Sequence, residues 1–501
     1  MGDAEEESMP GILAYGGYVP YYRLERSAVG AALGSPAAPG SRSVAGYDED
    51  TTSMAVQAGR VALAAAPSGV TPDAVYFATA DPAYQDKTNA TAIHAALGLD
   101  PAALAVDMAG AVRSGLGALR AGLDAAAAGR VALVITSDIR TGLPGGGDEA
   151  AGGDGAAALL LGDGPGVVAE PVAAASATAE FLDRWRLPGQ TSSHVWEERF
   201  GEQAYLPLAE AAVTDAFKRA GLTPEGLDHV IVAGTHPRAA RRLAASLGAR
   251  AEALTADVVT PAVGNTGTAQ GGLALAAALD TAGPGQVIAV VTLADGADVQ
   301  LWRTTAALTA YQQERRRVTL ADQMAAGSGK VSYPTFLTWR GQLRREPPRR
   351  PDPEAPAAPV SHRHDDWKFG FTASRCVACG ARHLPPTRVC VKCRAVDQMV
   401  PERLADVPGT VVTFTVDRLA FSLSPPVVVV VVDFDQGGRL QCELTDADPA
   451  QVKVGDRVEM TFRRLYTAGD VHNYFWKARP LAASVENVEK IEKAEKIEKG
   501  A

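Results

Sequence analysis

The sequence predicts a layered α/β domain made of two similar halves, followed by a small cysteine-built ribbon and a five-stranded β-barrel. Three observations carry this reading. Strand-like and helix-like segments alternate through the N-terminal two thirds of the chain, and the pattern repeats. Two C-x-x-C pairs, Cys376/Cys379 and Cys390/Cys393, stand ten residues apart. Beyond them, five strand-like runs crowd into the stretch 409–477, punctuated by turns such as Gly437-Gly438.

In the first half, Gly11-Ile-Leu-Ala-Tyr-Gly16 reads as a strand, 51–65 as a helix and Val75-Tyr-Phe-Ala78 as a short buried strand. Helices over 90–97 and 114–128 follow, then strands over 131–136 and 156–161. The β-α-β rhythm predicts helices packed on a largely parallel sheet. It recurs as helix 205–220, strand 229–233, helix 238–247, helix 271–282 and strand 286–293. Helix 114–128 with its strand matches helix 271–282 with its strand, as an internal duplication would. A plain doubly wound sheet is the alternative.

The stretch 345–359 carries six prolines and reads as an extended linker that separates modules. Expected boundaries are 10–168 and 169–344 for the two halves and 345–362 for the linker. The ribbon takes 363–398, the barrel 399–482 and a charged tail 483–501. That tail repeats Glu-Lys-Ile-Glu-Lys and reads as a solvated helix.

The four paired cysteines have the spacing of a tetrahedral zinc site, each pair giving two thiolates from one knuckle. With four protein ligands no position is left for water, so the expected zinc is structural. Arg375, Arg388, Lys392 and Arg394 could offset the tetrathiolate charge, touch phosphates or simply be solvated. Among 501 residues there is one other cysteine, Cys442, so residues 1–375 contain none. This usage points to a reducing cytoplasm. A net charge of −10 argues against nucleic-acid binding. The longest apolar run, Val427 to Val432, is far too short for a membrane span, and Met1 to Met9 has no apolar signal-peptide core. Gly329-Lys330 is no P-loop: Val331 follows it, and Met324 stands where the first glycine belongs.

Several motifs in order resemble one family. They are Gly16-Gly-Tyr-Val-Pro20, Asp48-Glu-Asp50, Tyr84-x-x-Lys87-x-Asn89, Ser137-Asp-Ile-Arg140, Gly153-Asp-Gly-Ala-Ala-Ala158, His236-Pro237 and Gly264-Asn-Thr266. Together they resemble a hydroxymethylglutaryl-CoA synthase-like protein of the thiolase superfamily. The cysteine ribbon and barrel resemble the zinc-ribbon/OB-fold domain associated with acyl-CoA enzymes. The resemblance implies a five-layer thiolase-like duplicated fold, a rubredoxin-like ribbon, an OB-fold and a homodimer formed through the α/β domain. It also implies an acyl-CoA thioester as substrate.

In that family a cysteine takes the acyl group, a glutamate acts as acid/base, and a histidine with an asparagine holds the thioester oxygen. The resemblance places His236 and Asn265 at the last two positions. Val112 falls at the cysteine position and Ala80 at the glutamate position, with Asp81 adjoining. Valine cannot form an acyl-enzyme. An oxyanion site with an acid/base suffices for aldol or retro-aldol chemistry through an enolate. Candidate acid/base groups are Asp81, Tyr84, Tyr205 and Asp295. Ser114, near the start of a helix, is an alternative nucleophile or else a helix cap. The function expected is therefore C–C bond formation or cleavage on an acyl-CoA without a cysteine nucleophile. A non-catalytic acyl-CoA-binding scaffold and a Ser114-dependent acyltransferase are the alternatives.

Overall fold

Short apolar runs in the first two thirds of the chain assemble into one nine-stranded sheet in the computed structural model, which describes residues 9–36, 39–254, 257–314, 318–327, 329–349 and 353–481. The charged tail expected at 483–501 lies outside the described residues. The strands are β1 (Gly11–Tyr18), β2 (Ala74–Thr79), β3 (Leu104–Ala109), β4 (Ala132–Asp138), β5 (Gly155–Gly162), β6 (Ala169–Ala177), β7 (His229–Gly234), β8 (Val287–Leu293) and β9 (Ala297–Thr304). Their order is β7-β8-β9-β6-β1-β5-β4-β2-β3. Reading outward from the centre, β1-β5-β4-β2 and β6-β9-β8-β7 repeat one pattern, which is the duplication expected from the sequence. The two half-sheets join edge to edge through a single ladder pair, Ile12 with Ala169.

The sheet is mixed, which corrects the largely parallel expectation. Only β2–β3, β2–β4 and β7–β8 pair parallel. The centre is antiparallel because β9 returns from β8 through the tight turn at Asp295 and Gly296, and β5 lies antiparallel between β4 and β1. Parallel neighbours need a crossover, whereas a tight turn forces antiparallel pairing.

Six helices complete the layers: α1 (Thr51–Ala64), α2 (Ala90–Leu97), α3 (Ser114–Ala127), α4 (Glu198–Ala220), α5 (Pro237–Ser246) and α6 (Gln270–Thr281). Helices α1 and α2 cover the outer face of the first half-sheet; α4 and α5 cover that of the second. Helices α3 and α6 lie between the half-sheets, which gives five layers. Their small residues permit close approach. A Cβ built on Gly272 would come within 2.8 Å of the Ala157 Cβ, and one on Gly115 within 2.9 Å of the Thr268 methyl. Helix α4 begins seven residues earlier than its apolar pattern suggests. Gly201 and Pro207 mask its first two turns in the sequence.

The C-terminal region forms a three-stranded ribbon and a closed barrel of β10 (Gly409–Asp417), β11 (Val427–Phe434), β12 (Arg439–Leu444), β13 (Arg457–Ala468) and β14 (Val471–Pro480). Along β11 the side chains alternate between the barrel core and a less buried face, as a closed five-stranded barrel requires. The barrel is docked against the α/β domain. Arg60 of α1 donates to the Met460 carbonyl at 2.6 Å and the Ala405 carbonyl at 2.7 Å. The segment 46–50 is a receptor for barrel cations. Arg463 lies 2.7 Å from Glu49 and also pairs with Asp446, while Lys477 lies 2.9 Å from Asp48 and 2.7 Å from Glu443. Tyr474 donates to Asp50 at 2.6 Å. Proline stiffens a linker but cannot oppose a seam of buried ion pairs that close only on docking.

Candidate active site

The C-terminal ends of β2, β4 and β7 converge on the loop that carries Asn265, as parallel strands in an α/β layer direct their loops to one edge. Asp138, fully buried at the end of β4, organises this edge. One of its oxygens accepts from the Ala80 amide (2.7 Å) and the Thr79 hydroxyl (3.0 Å). The other accepts from the Thr268 amide (2.7 Å) and hydroxyl (2.6 Å). One carboxylate thus ties the position of Ala80 to the loop of Asn265.

Asn265 is fixed at every point. Its amide donates to the Ala151 carbonyl at 2.8 Å and its carbonyl accepts from Gly153 at 2.9 Å. Its carboxamide accepts from the Gly267 amide at 2.9 Å and donates to the Gly234 carbonyl at 2.6 Å. Gly153 is obligatory here, since a Cβ would meet the Val263 carbonyl oxygen at 2.1 Å.

His236 ends the loop after β7 and caps α5. Its Nδ1 accepts from the Ala239 amide at 3.0 Å, so the ring proton sits on Nε2, which donates to the Glu198 carbonyl at 3.0 Å. Both ring nitrogens are therefore engaged by the protein. The ring lies against Gly201 of α4, where a Cβ would come within 2.6 Å. Tyr205 packs beside it with ring centroids 5.8 Å apart, and the Asp295 amide reaches the Tyr205 hydroxyl at 3.3 Å. Burial, with the Asp183 carboxylate, raises the pKa of both Tyr205 and Asp295. These two candidates thus stand behind His236.

Val112 lies in the turn between β3 and α3. Its neighbour Arg113 is anchored to Asp298 at 3.0 Å and to the Asp295 carbonyl at 2.6 Å. Val112 lines a small apolar pocket of about 60 Å³ with Ala233, Gly267 and Thr268, so the structure brings it to the Asn265 loop. Ser114 is the first residue of α3. The N-cap is Arg113, and no side-chain base bonds the Ser114 hydroxyl among the described residues.

Asp81 and Tyr84 face another space. They line a cavity of about 760 Å³ together with Ala80, Arg186 and, from the barrel, Arg464 and His472. Asp81 lies 3.4 Å from Arg186, whose guanidinium also donates to the Ala80 carbonyl. Burial raises the Asp81 pKa, while Arg186 opposes the rise. The Tyr84 hydroxyl accepts from the His472 amide at 2.6 Å, and the two rings lie tilted with centroids 4.6 Å apart. The sequence reading named neither Arg186 nor His472. Arg184 and Arg186 alternate around Trp185, a polar pattern that could have drawn notice; nothing local singles out His472.

At the metal site the four cysteine sulfurs lie within 4.8 Å of one another. Cys376 and Cys393 are 3.6 Å apart, as are Cys379 and Cys390. A tetrahedral zinc with 2.3 Å bonds to sulfur sets neighbouring sulfurs about 3.8 Å apart. The donor set fits zinc and leaves no open coordination position. Bound there, the metal would hold the two knuckles together.

Comparison with known proteins places these features. The ChsH2 rubredoxin-like zinc ribbon domain matches residues 370–399, and the ChsH2 C-terminal OB-fold domain matches residues 402–463. The α/β domain is similar to the hydroxymethylglutaryl-CoA synthase of Aeropyrum pernix, at 33% identity over 58% of this chain and 83% of that one. The Archaeoglobus fulgidus hydroxymethylglutaryl-CoA synthase is 30% identical, over 67% of this chain and all of the relative. This chain belongs to the hydroxymethylglutaryl-CoA synthase family. Solved structures agree on the fold. A hydroxymethylglutaryl-CoA synthase complexed with CoA superposes with a TM-score of 0.57 at 19% identity, covering 66% of this chain and 89% of that one. MvaS in complex with 3-hydroxy-3-methylglutaryl coenzyme A gives 0.57 at 20% identity, covering 70% and 95%. Within this thiolase superfamily fold, the present chain adds the zinc ribbon and OB barrel. Among the described residues no helix is long and apolar enough to cross a membrane.

Proposed function

We propose that the chain acts on acyl-CoA thioesters, making or breaking a C–C bond by an aldol or retro-aldol route without an acyl-enzyme. What supports this is Val112, which the motif resemblance aligns with the family's cysteine and which lies beside the Asn265 loop, in a chain whose first 375 residues hold no cysteine. A hydrocarbon there can take no acyl group, so carbon chemistry must run through a bound enolate or its reverse. Asp81 is the acid/base in this reading. It lines the larger cavity next to Ala80 and bears a carboxylate that burial makes more basic. The barrel completes the same cavity through Arg464 and His472, which gives the C-terminal module a part in holding the CoA thioester. The protein works as a homodimer through the α/β domain. Strand β3 supports this: it is a sheet edge paired on one side only, and Leu104 on it is 49% exposed.

The test is turnover of an acyl-CoA panel, with intact-mass spectrometry on the same samples; native mass reads the dimer. The expected result is product formation with no covalent mass increase. An acyl adduct on Ser114 or any other side chain would sink the proposal. Binding without turnover would favour the scaffold reading.

A further inference from the structure

Arg140 follows β4 and is held by its backbone: its amide donates to Asp154 at 2.9 Å, and its carbonyl accepts from Arg42 at 2.9 Å. Its stem is steered by two glycines. A Cβ on Gly152 would lie 3.0 Å from the Arg140 Cβ, and one on Gly267 would lie 3.1 Å from the Arg140 Cδ. The guanidinium makes no hydrogen bond or ion pair among the described residues, although burial lowers its pKa. The charged groups that face it are Asp138, Asp148, Arg184 and Arg186. Neither carboxylate pairs with it. Asp138 is filled by Ala80, Thr79 and Thr268, and Asp148 is held by the Arg184 fork, with one bond of 2.8 Å. Its nitrogens have no protein acceptor and are not sealed from solvent, so they are free to take an acceptor from outside.

The place of that acceptor follows from the neighbours. Gly267, which Arg140 touches, donates to Asn265, and Asp138, which Arg140 faces, carries the Ala80 amide. The guanidinium therefore lies beside the Asn265 loop and near Asp138, and it also acts on Asp81, which lines the larger cavity. His236 cannot serve a reacting carbonyl without giving up its bond to Glu198 or to Ala239.

We propose that Arg140 is the oxyanion donor of this site, binding the thioester oxygen of an acyl-CoA. This rests on the acyl-CoA reading above. When the Cα–H bond breaks, its electron pair forms the C–C double bond of the enolate and the carbonyl pair moves onto oxygen, facing Arg140. The proton goes to the Asp81 carboxylate. His236 is then a helix cap that fixes the loop after β7.

The experiment follows exchange of solvent deuterium into the Cα position of acetyl-CoA and propionyl-CoA by mass spectrometry, on the full chain with zinc. Wild type should exchange. Arg140→Gln should lose about 10²- to 10³-fold at saturating acyl-CoA, with the half-saturating concentration little changed, as removal of an oxyanion donor does. Arg140→Lys, whose single ammonium replaces a planar fork, should lose at least about tenfold, and it serves if the Gln variant does not fold. Equal exchange in wild type and a folded Gln variant would overturn the assignment. So would a loss confined to acyl chains bearing a carboxylate and expressed as weaker saturation, which would make Arg140 a substrate-carboxylate anchor. No exchange by wild type with either thioester would remove the acyl-CoA reading itself, and this inference with it.

Discussion

Two seams hold this protein together, and they are built from different chemistry. Between the half-sheets, α3 and α6 pack on the strands through glycine, alanine and leucine, with Gly115 set close to Thr268 and Gly272 close to Ala157. Between the α/β domain and the barrel the apolar core continues, but set into it is a buried network of Asp48, Glu49, Asp50, Arg463 and Lys477. Apolar packing is tolerant of direction and rewards area, whereas buried ion pairs repel any pose that leaves one unpaired. The difference teaches that the duplicated core is fixed by shape and the barrel by orientation. That suits a barrel whose Arg464 and His472 must reach one wall of the larger cavity.

The largest expected effect comes from breaking the charged seam. Arg463 is 1% exposed and faces three carboxylates. Arg463→Ala takes the cation from Glu49 and Asp446, while Asp48 keeps Lys477, and removing one partner of a buried pair typically costs about 3–5 kcal/mol. Much of that loss should appear as undocking. Limited proteolysis should cut within the proline-rich linker far faster than in wild type, while the α/β domain keeps its own melting transition. If a single cooperative transition is only shifted, the seam and the core form one unit and the contrast between them fails.

A smaller effect is expected at the apolar seam. Gly272→Val places three carbons where the Ala157 Cβ already lies 2.8 Å from the first. Overpacking of this kind costs about 1–3 kcal/mol. Thermal unfolding should shift down as one transition, with no added cleavage at the linker. A variant as stable as wild type would mean that α6 is free to move away from β5.

How much of this was legible in the sequence follows from the range over which each feature is decided. The zinc site is local: two knuckles and a spacing suffice. The helices of the central layer and strands such as β2, β4 and β8 are dense apolar runs and stand out. Strand β6, Ala-Glu-Pro-Val-Ala-Ala-Ala-Ser-Ala, carries little β-propensity and is a strand only because β9 and β1 lie on either side. Missing it left the sheet looking parallel. The motif order pointed to His236 and Asn265, but what His236 bonds is set by Glu198, thirty-eight residues away at the masked start of α4. The unbonded state of Arg140 depends on Gly152, Gly267 and the prior commitments of Asp138 and Asp148. None of these is visible as a local pattern.

The finest test of the two-seam comparison uses pH, because only the charged seam titrates. Burial, helped by Asp446 and Asp48, pushes the Glu49 carboxyl up to about 7 against the pull of Arg463. A group whose folded pKa lies above its unfolded one contributes stability that is fully present below the unfolded value and is lost as pH rises through the folded value. For Glu49 the window runs from about 4.5, the ordinary glutamate value, to about 7. Docking should therefore weaken as pH rises from about 4.5 to about 7, read as faster linker proteolysis and a lower first melting transition at the higher pH. Glu49→Gln keeps the shape and a hydrogen-bonding carboxamide but cannot ionise, so it should flatten this slope. Gly272→Val should leave the slope unchanged while lowering stability at every pH. A slope that survives Glu49→Gln would assign the titration to another of the crowded carboxylates. A slope altered by Gly272→Val would show that the two seams are coupled through α1, which packs on β1 and β5 with one face and reaches the barrel through Arg60 with the other.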